Sequence, residues 1–327
     1  MAYDVFNGDA DGICALHMLR LHAPARRTLV TGVKRDIELL RRVPAGPDLD
    51  VLVLDISLDA NAGELRRLLD GGARLTWFDH HMAACAQAQR HPHLSLHCDT
   101  APDVCTSILV DRHLGGRYRP WAVTAAFGDN LDRPACALAR SLGLDEAGTN
   151  ALRQLGQALN YNAYGECEAD LHIAPANLYR AISGHETPDG FLRTALYRDL
   201  LDGYRSDCAR LQGLLPHWQR DGNAVYVLPS APWARRVNGV LANRLAARQD
   251  GAAFAVVLAS SDGTYLISVR SGQPEARSAC GLCGEFPGGG GRKAAAGINR
   301  LPADQLERFI DRFGTYFAPD APRSHAS

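Results

Sequence analysis

Two hydrophobic periods alternate along the first hundred residues. Tyr3-Asp4-Val5-Phe6, residues 28–33, the unbroken apolar run Val51-Leu52-Val53-Leu54 and residues 75–78 read as strands. Between them, residues 12–21, 36–43 and 61–69 carry the mixed faces of helices, with Asn61 placed as an N-cap. A continuous apolar strand is buried on both faces, and strands separated by helices make a parallel sheet with right-handed crossovers. From about residue 104 to 214 the pattern turns helical. Residues 191–215 are the plainest case: Leu192, Ala195, Leu196, Leu200, Tyr204, Cys208, Leu211 and Leu215 recur at three and four, as in one helix linking two domains. A second α/β unit follows, with strands at 224–228, 252–259 and 264–269 and a helix at 237–249. Ser260-Ser261-Asp262-Gly263 reads as a hairpin turn. Residues 288–297 are glycine-rich and lead toward a last helix near 302–313.

The expected fold class is α/β: an N-terminal parallel-sheet domain over 1–190, a helical linker over 191–218, a smaller C-terminal α/β domain over 219–318 and a disordered tail at 319–327. Charge narrows the function. The 327 residues carry 35 Lys+Arg against 36 Asp+Glu, which excludes a protein that coats nucleic acid through a basic excess. Only Lys34 and Lys293 are lysine. The arginine excess reads as coding bias, except where a planar guanidinium sits in a pocket and grips phosphate at two points. No stretch approaches the roughly 18 apolar residues of a membrane span, and MAYDVFNGDADG has no signal-peptide features. The nine cysteines are scattered and odd in number, against a disulfide framework. A cytoplasmic protein with no membrane partner is expected.

Chemistry gathers at the strand ends. Asp9 and Asp11 follow the first strand, Asp55 ends the third, and Asp79-His80-His81 end the fourth. The carboxyl ends of parallel strands face one crevice, where ligands bind. Each motif alone has a plain structural reading: a helix cap, a ribose-holding acid, a buried polar cluster. Jointly they place like charges that repel unless a cation holds them. Mn²⁺ or Mg²⁺ suits carboxylates with one or two imidazoles, and two such ions about 3.5–4 Å apart would activate water for phosphate hydrolysis. In the second unit, Gly288–Gly291 with Arg292 and Lys293 can bring backbone amides against an anion, helped by a following helix start. Cys280-x-x-Cys283 lacks a second pair for zinc, and no G-x-G-x-x-G, Walker A or G-x-S-x-G pattern is present. Asn160-Tyr161-Asn162-Ala163-Tyr164-Gly165 reads either as a surface for stacking a base or as a helix end with buried polar caps.

Asp9-x-Asp11, Asp55, Asp79-His80-His81 and the later glycine stretch resemble the DHH/DHHA1 phosphoesterases, which include RecJ-like exonucleases, small oligoribonucleases and cyclic-dinucleotide phosphodiesterases. The resemblance covers about residues 3–315. It implies two Mn²⁺ ions, with Asp9 on one, Asp11 on the other, Asp55 bridging, His80 as ligand and Asp79 orienting it. His81 would lie near the scissile phosphate or behind the ligands. Asp129, in Ala125-Ala126-Phe127-Gly128-Asp129, matches the family's fourth motif, with Asp132 a nearby rival. The resemblance further implies that Arg270, Ser271, Gly289, Gly290, Gly291, Arg292 and Lys293 bind substrate. Three positions depart from it: Val5 stands where small oligoribonucleases have His, Asn7 where RecJ-like proteins have Asp, and Arg292 where the loop has His. As an amide, Asn7 would be a weak metal contact at best. The implied activity is Mn-dependent hydrolysis of short oligonucleotides to 5′-mononucleotides, in a monomer or a homodimer. The rival readings are a small-nucleotide phosphatase or cyclic-dinucleotide phosphodiesterase on the same site, and a degenerate member that binds nucleotide without cleaving it.

Overall fold

Strands β1 (Ala2–Phe6), β2 (Thr28–Val30), β3 (Asp50–Leu54), β4 (Arg74–Asp79) and β5 (Leu94–Cys98) form a wholly parallel sheet in the order β2-β1-β3-β4-β5. The computed structural model describes residues 1–81, 91–248 and 251–318, so the expected tail at 319–327 lies outside the described residues. Both faces of β3 are buried, as its apolar run requires. Val51 and Val53 pack with Leu65, Leu68 and Trp77, while Leu52 and Leu54 are buried on the opposite face. Because β2 and β3 flank β1, the chain reverses direction at β1/β3, and their carboxyl ends border the crevice of a doubly wound sheet.

Helix α1 (Ala10–His22) leaves β1, and α2 (Ala62–Asp70) follows β3. Beyond β5 the chain runs through α3 (Thr106–His113), α4 (Arg119–Gly128), α5 (Asp132–Ser141), α6 (Glu146–Asn162), α7 (Pro175–Ile182), α8 (Pro188–Leu192) and α9 (Ala195–Ala209). The α4–α6 contact depends on Gly156, where a Cβ would lie 2.0 Å from the Thr124 carbonyl oxygen.

Several expectations are corrected. Only a short 3₁₀ turn, Leu39–Arg42, forms within 36–43, where Arg42 is drawn back to Asp36 and to the Thr31 carbonyl. Asn61 stands at the N-cap of α2, but its side chain instead ties down the loop through Ile37 O, Ser57 O and the Leu40 N–H. The sheet also gains a strand that the hydrophobic pattern does not mark, β5, whose His97 ring stacks on Phe78 at 4.2 Å. Residues 191–215 are not one helix. Thr194 bonds Phe191 O and receives the Tyr197 N–H, which ends α8 and starts α9, and α9 stops at Ala209.

The chain divides into two units, the first ending at Arg205 and the second beginning at Ser206, within α9. The second unit is built on β6 (Trp218–Arg220), β7 (Asn223–Leu228), β8 (Ala253–Ala259), β9 (Tyr265–Ser271), β10 (Gly289–Gly291) and β11 (Ala295–Leu301), with α10 (Pro232–Arg248), α11 (Ala279–Cys283) and α12 (Leu306–Tyr316). Its order is β10-β11-β9-β8-β7-β6, antiparallel except at β7–β8. Alternation along β8 sends Phe254, Val256 and Leu258 to the α10 face, and Ala255 and Val257 to the Phe309–Phe313 face of α12. No helix among the described residues is long and apolar enough to cross a membrane.

One buried group makes the first unit sensitive to acid. His17 on α1 is 1% exposed, lies edge-on to Trp121 and donates from Nε2 to His185 O at 2.8 Å. Burial pulls its pKa down to about 4. The folded chain keeps this imidazole neutral, whereas the unfolded chain protonates it below about pH 6.5. Its share of stability is therefore lost as pH falls from 6.5 through about 4, roughly 3 kcal/mol in all. Urea unfolding of His17→Gln should show a shallower loss across that window than the wild type, and identical slopes would acquit His17.

Candidate metal centre

The turn after β1 is organised by Asp9, which caps α1. Its Oδ1 accepts the Asp11 and Gly12 N–H groups at 3.0 and 3.1 Å. Gly12 permits the turn, since a Cβ there would lie 2.2 Å from Asn7 O. Asp11 points away, to the start of α3. Its two oxygens accept the Thr106 and Ser107 N–H groups, each at 2.7 Å, and Ser107 Oγ donates to the Asp11 carbonyl at 2.8 Å. Helix-start amides hold a carboxylate well, by both hydrogen bonding and dipole. Asp55 follows β3 in the left-handed region at φ 58°, a conformation costing of order 1–3 kcal/mol that aspartate tolerates better than most residues. Its N–H donates to Phe78 O at 3.0 Å, and its Oδ1 accepts from Thr106 Oγ1 at 3.1 Å.

His80 is the hub of these carboxylates. Its Nε2 lies 3.5 Å from Asp55 Oδ1, 3.8 Å from Asp129 Oδ2 and 3.9 Å from Asp11 Oδ2. Donors about 2.1 Å from a shared octahedral ion stand roughly 3.0–4.2 Å apart, and all three spacings fall in that range. Asp11, His80 and Asp129 form one group of donors within 4.8 Å of one another; Asp55, His80 and His81 form another. A divalent ion thus fits the donor set. Asp129 arrives as the residue that ends α4, whereas its rival Asp132 is paired with Arg153.

Electrostatics of the chain alone show what the cluster demands. Burial, then Asp11, Asp9, Asp129 and Asp79, push the Asp55 carboxyl well above its usual range. Burial and Asp129 likewise raise Asp11. For Asp9, burial also acts upward, but the Lys34 ammonium, with hydrogen bonds from the Gly12 N–H and Asp55, outweighs it and holds the group below the ordinary value. Lys34 was not singled out by sequence, although it is one of two lysines. Its Nζ donates to Asp9 Oδ2 at 2.5 Å, Asn160 Oδ1 at 2.9 Å and Asp129 Oδ1 at 3.3 Å. Burial opposes this charge, and the neighbouring Asp9 raises the pKa well above the usual lysine value regardless. Thr106 and Ser107 were missed as well; a Ser/Thr pair opening a helix was their only mark.

Two expected roles differ in detail. Asp79 holds His81, not His80: His81 Nδ1 lies 2.6 Å from Asp79 Oδ1. Asn7 is committed to the backbone, accepting the Asp9 N–H at 3.3 Å and donating to Lys34 O at 3.2 Å, so its amide braces the turn. The Asn160–Gly165 stretch splits likewise. Asn162 caps the Ile173 backbone, Tyr161 bonds His172, and Asn160 and Tyr164 face Lys34.

In the second unit the glycines do not lead into a helix start. Gly289, Gly290 and Gly291 pair with Ile298, Gly297 and Ala296 as the edge strand β10, and Arg292 N–H closes the turn onto Ala295 O at 2.8 Å. Register sets Ala295 beside Arg270, so Arg270, Ser271, Arg292 and Lys293 share one end of this sheet. Asn243 Oδ1 holds the Arg270 guanidinium at 3.0 and 3.1 Å, Ser271 Oγ donates to Arg277 O, and Lys293 pairs with Glu275. Cys280 and Cys283 are free thiols.

No family model matches the sequence. No curated protein matches it either. Solved structures do. The chain is similar to exonuclease RecJ bound to manganese, with 20% identity and a TM-score of 0.61 over 99% of this chain and 92% of that one. It is similar to RecJ from Thermus thermophilus in complex with Mn²⁺, with 19% identity and a TM-score of 0.57, covering 97% of this chain and 52% of that one. A pGpG-specific phosphodiesterase, PggH from Vibrio cholerae, aligns at 15% identity and a TM-score of 0.57 over 98% of this chain and 100% of its own. The resemblance read from the acid motifs therefore extends to the whole fold.

Adding Mn²⁺ to metal-free protein should raise the first unit's thermal midpoint, by roughly 5–10 °C at a hundredfold excess over Kd, and EDTA should reverse it. Because ionised Asp55 is disfavoured without a cation, Asp55→Asn should melt higher than the wild type in EDTA and respond less to Mn²⁺. Calorimetry showing the opposite order in EDTA would contradict the electrostatics described above.

Proposed function

We propose that the protein is a divalent-metal-dependent phosphoesterase that hydrolyses phosphodiester bonds of short oligonucleotides to 5′-mononucleotides. The observation that carries this reading is the ring of Asp11, Asp55 and Asp129, the first two buried, around His80 Nε2 on a RecJ-like fold. Mn²⁺ suits a mixture of carboxylate oxygens and one imidazole, and Mg²⁺ is the alternative. Bound there, such an ion supplies Lewis acidity and a nucleophilic water at neutral pH.

The chain's own residues do the rest. Thr106 and Ser107 fix Asp11 and Asp55 before substrate arrives, so little reorganisation is left for the reaction. His81 stands at the rim with its side chain 42% exposed. Burial works against its imidazolium, but the Asp79 hydrogen bond and the charges of Asp79, Asp129 and Asp11 together raise its pKa. His81 is thereby a proton donor to the O3′ oxygen as the P–O3′ bond breaks and water oxygen joins phosphorus. Arg270, Arg292 and Lys293 bind the substrate's terminal phosphate, with Ser271 and the Gly289–Gly291 amides beside them; phosphate would displace Glu275 from Lys293.

A second reading narrows the substrate to linear dinucleotides. It draws on the end-to-end match with a pGpG-specific phosphodiesterase.

Purified protein with Mn²⁺ is to be offered di- to pentanucleotides, pGpG, cyclic dinucleotides, 3′-phosphoadenosine 5′-phosphate and pyrophosphate. Short linear substrates should yield 5′-mononucleotides, and Asp55→Asn should lower kcat on the order of a thousandfold. Arg270→Ala should raise KM about ten- to a hundredfold with a smaller change in kcat, the worth of one charge-assisted hydrogen bond. Undiminished turnover by Asp55→Asn would remove the proposed centre. Tight nucleotide binding without any turnover would instead favour a non-catalytic nucleotide-binding protein.

A further inference from the structure

Asp9 takes part in neither group of clustered donors, although Asp11, Asp55, His80 and Asp129 all do. Both of its oxygens have partners, and Oδ2, unlike either oxygen of Asp11, is paired with a cation. Oδ1 caps α1 through two backbone N–H groups, and Oδ2 accepts from Lys34 Nζ. The ammonium is itself saturated: its three N–H donors meet three acceptors, on Asp9, Asn160 and Asp129. Nor is Lys34 carried on a mobile surface. Its N–H donates to Ala163 O at 2.8 Å, its carbonyl accepts from Asn7 Nδ2, and its side chain is 23% exposed. The close approach of the turns after β1 and β2 fixes its base, since a Cβ on Gly8 would lie 2.0 Å from Gly32 O.

We infer that Lys34 is a built-in cation of this centre: its ammonium, held by Asp9, Asp129 and Asn160, takes the position of one of the two expected ions, and the chain binds a single divalent ion at Asp11, Asp55, His80 and Asp129. The inference rests on the metal-centre reading above and sharpens it. Asn7 completes the device: an amide both accepts the Asp9 N–H and donates to the Lys34 carbonyl, and a carboxylate could not make the second bond.

Metal counting tests this apart from activity. Metal-free wild type, Lys34→Met and Asp9→Asn are titrated with Mn²⁺ while the EPR signal of the free ion reports what is bound. The expected result is one ion per wild-type chain with a mononuclear spectrum, two ions in Lys34→Met, and one ion still bound in Asp9→Asn. Asparagine still caps α1, so that variant keeps its fold. Two ions in the wild type with an exchange-coupled spectrum would overturn the inference and leave the metal centre standing. A single ion in Lys34→Met, or loss of the ion in Asp9→Asn, would also overturn it. No binding by any of the three proteins would instead remove the metal centre, and this inference with it. Should Lys34→Met fail to fold, the wild-type count and Asp9→Asn decide.

Discussion

Four carboxylates and an imidazole crowd one edge of a parallel sheet, and anions packed this closely in a buried place cannot all remain ionised without a counter-cation. Much of the first unit can be understood as the scaffolding of that repulsion. Asp55 is held in a left-handed backbone conformation that relaxed chain would abandon. Asp11 is gripped by two amides of α3, and Asp9 is tied at once into the cap of α1 and to Lys34. The order β2-β1-β3 supplies the place, because it lets the loops after β1 and β3 open onto the same crevice.

The acids themselves were legible because of where they fall along the chain. An aspartate directly after a buried strand is delivered to the carboxyl edge whatever its neighbours do, so Asp9, Asp11, Asp55 and Asp79-His80-His81 declared themselves through hydrophobic pattern alone. Asp129 needed the family motif, since a residue ending a helix carries no periodic mark. Partnership was not legible. That Asp79 turns to His81, and that Asn7 braces Lys34, depends on rotamers set by packing in three dimensions. The same holds for Lys34 and Asn160, 126 positions apart and joined at one atom.

Secondary structure failed where a local side chain competed with the pattern. Thr194 interrupted an apolar stripe that reads as one helix, and β5 was hidden by histidines, which are poor strand signals yet stack well against an aromatic neighbour. The glycine run misled for the converse reason. Glycine permits both loop and strand, and here pairing with β11 decided for the strand. The anion-binding possibilities of this end thus lie with the side chains of Arg270, Arg292 and Lys293 and with the amides of an edge strand, and owe nothing to a helix dipole.

The clamp on Asp11 has an evolutionary side. Two of its three bonds to α3 come from main-chain N–H groups, which every residue except proline possesses. Substitution at the opening of α3 therefore leaves those two bonds in place, whereas gain or loss of a single residue between β5 and α3 would carry both amides out of reach. Apart from Thr106, whose hydroxyl serves Asp55, variation in this stretch should be free in chemistry and strict in length, so lineages diverging from this sequence would drift in residue identity here while insertions and deletions are purged.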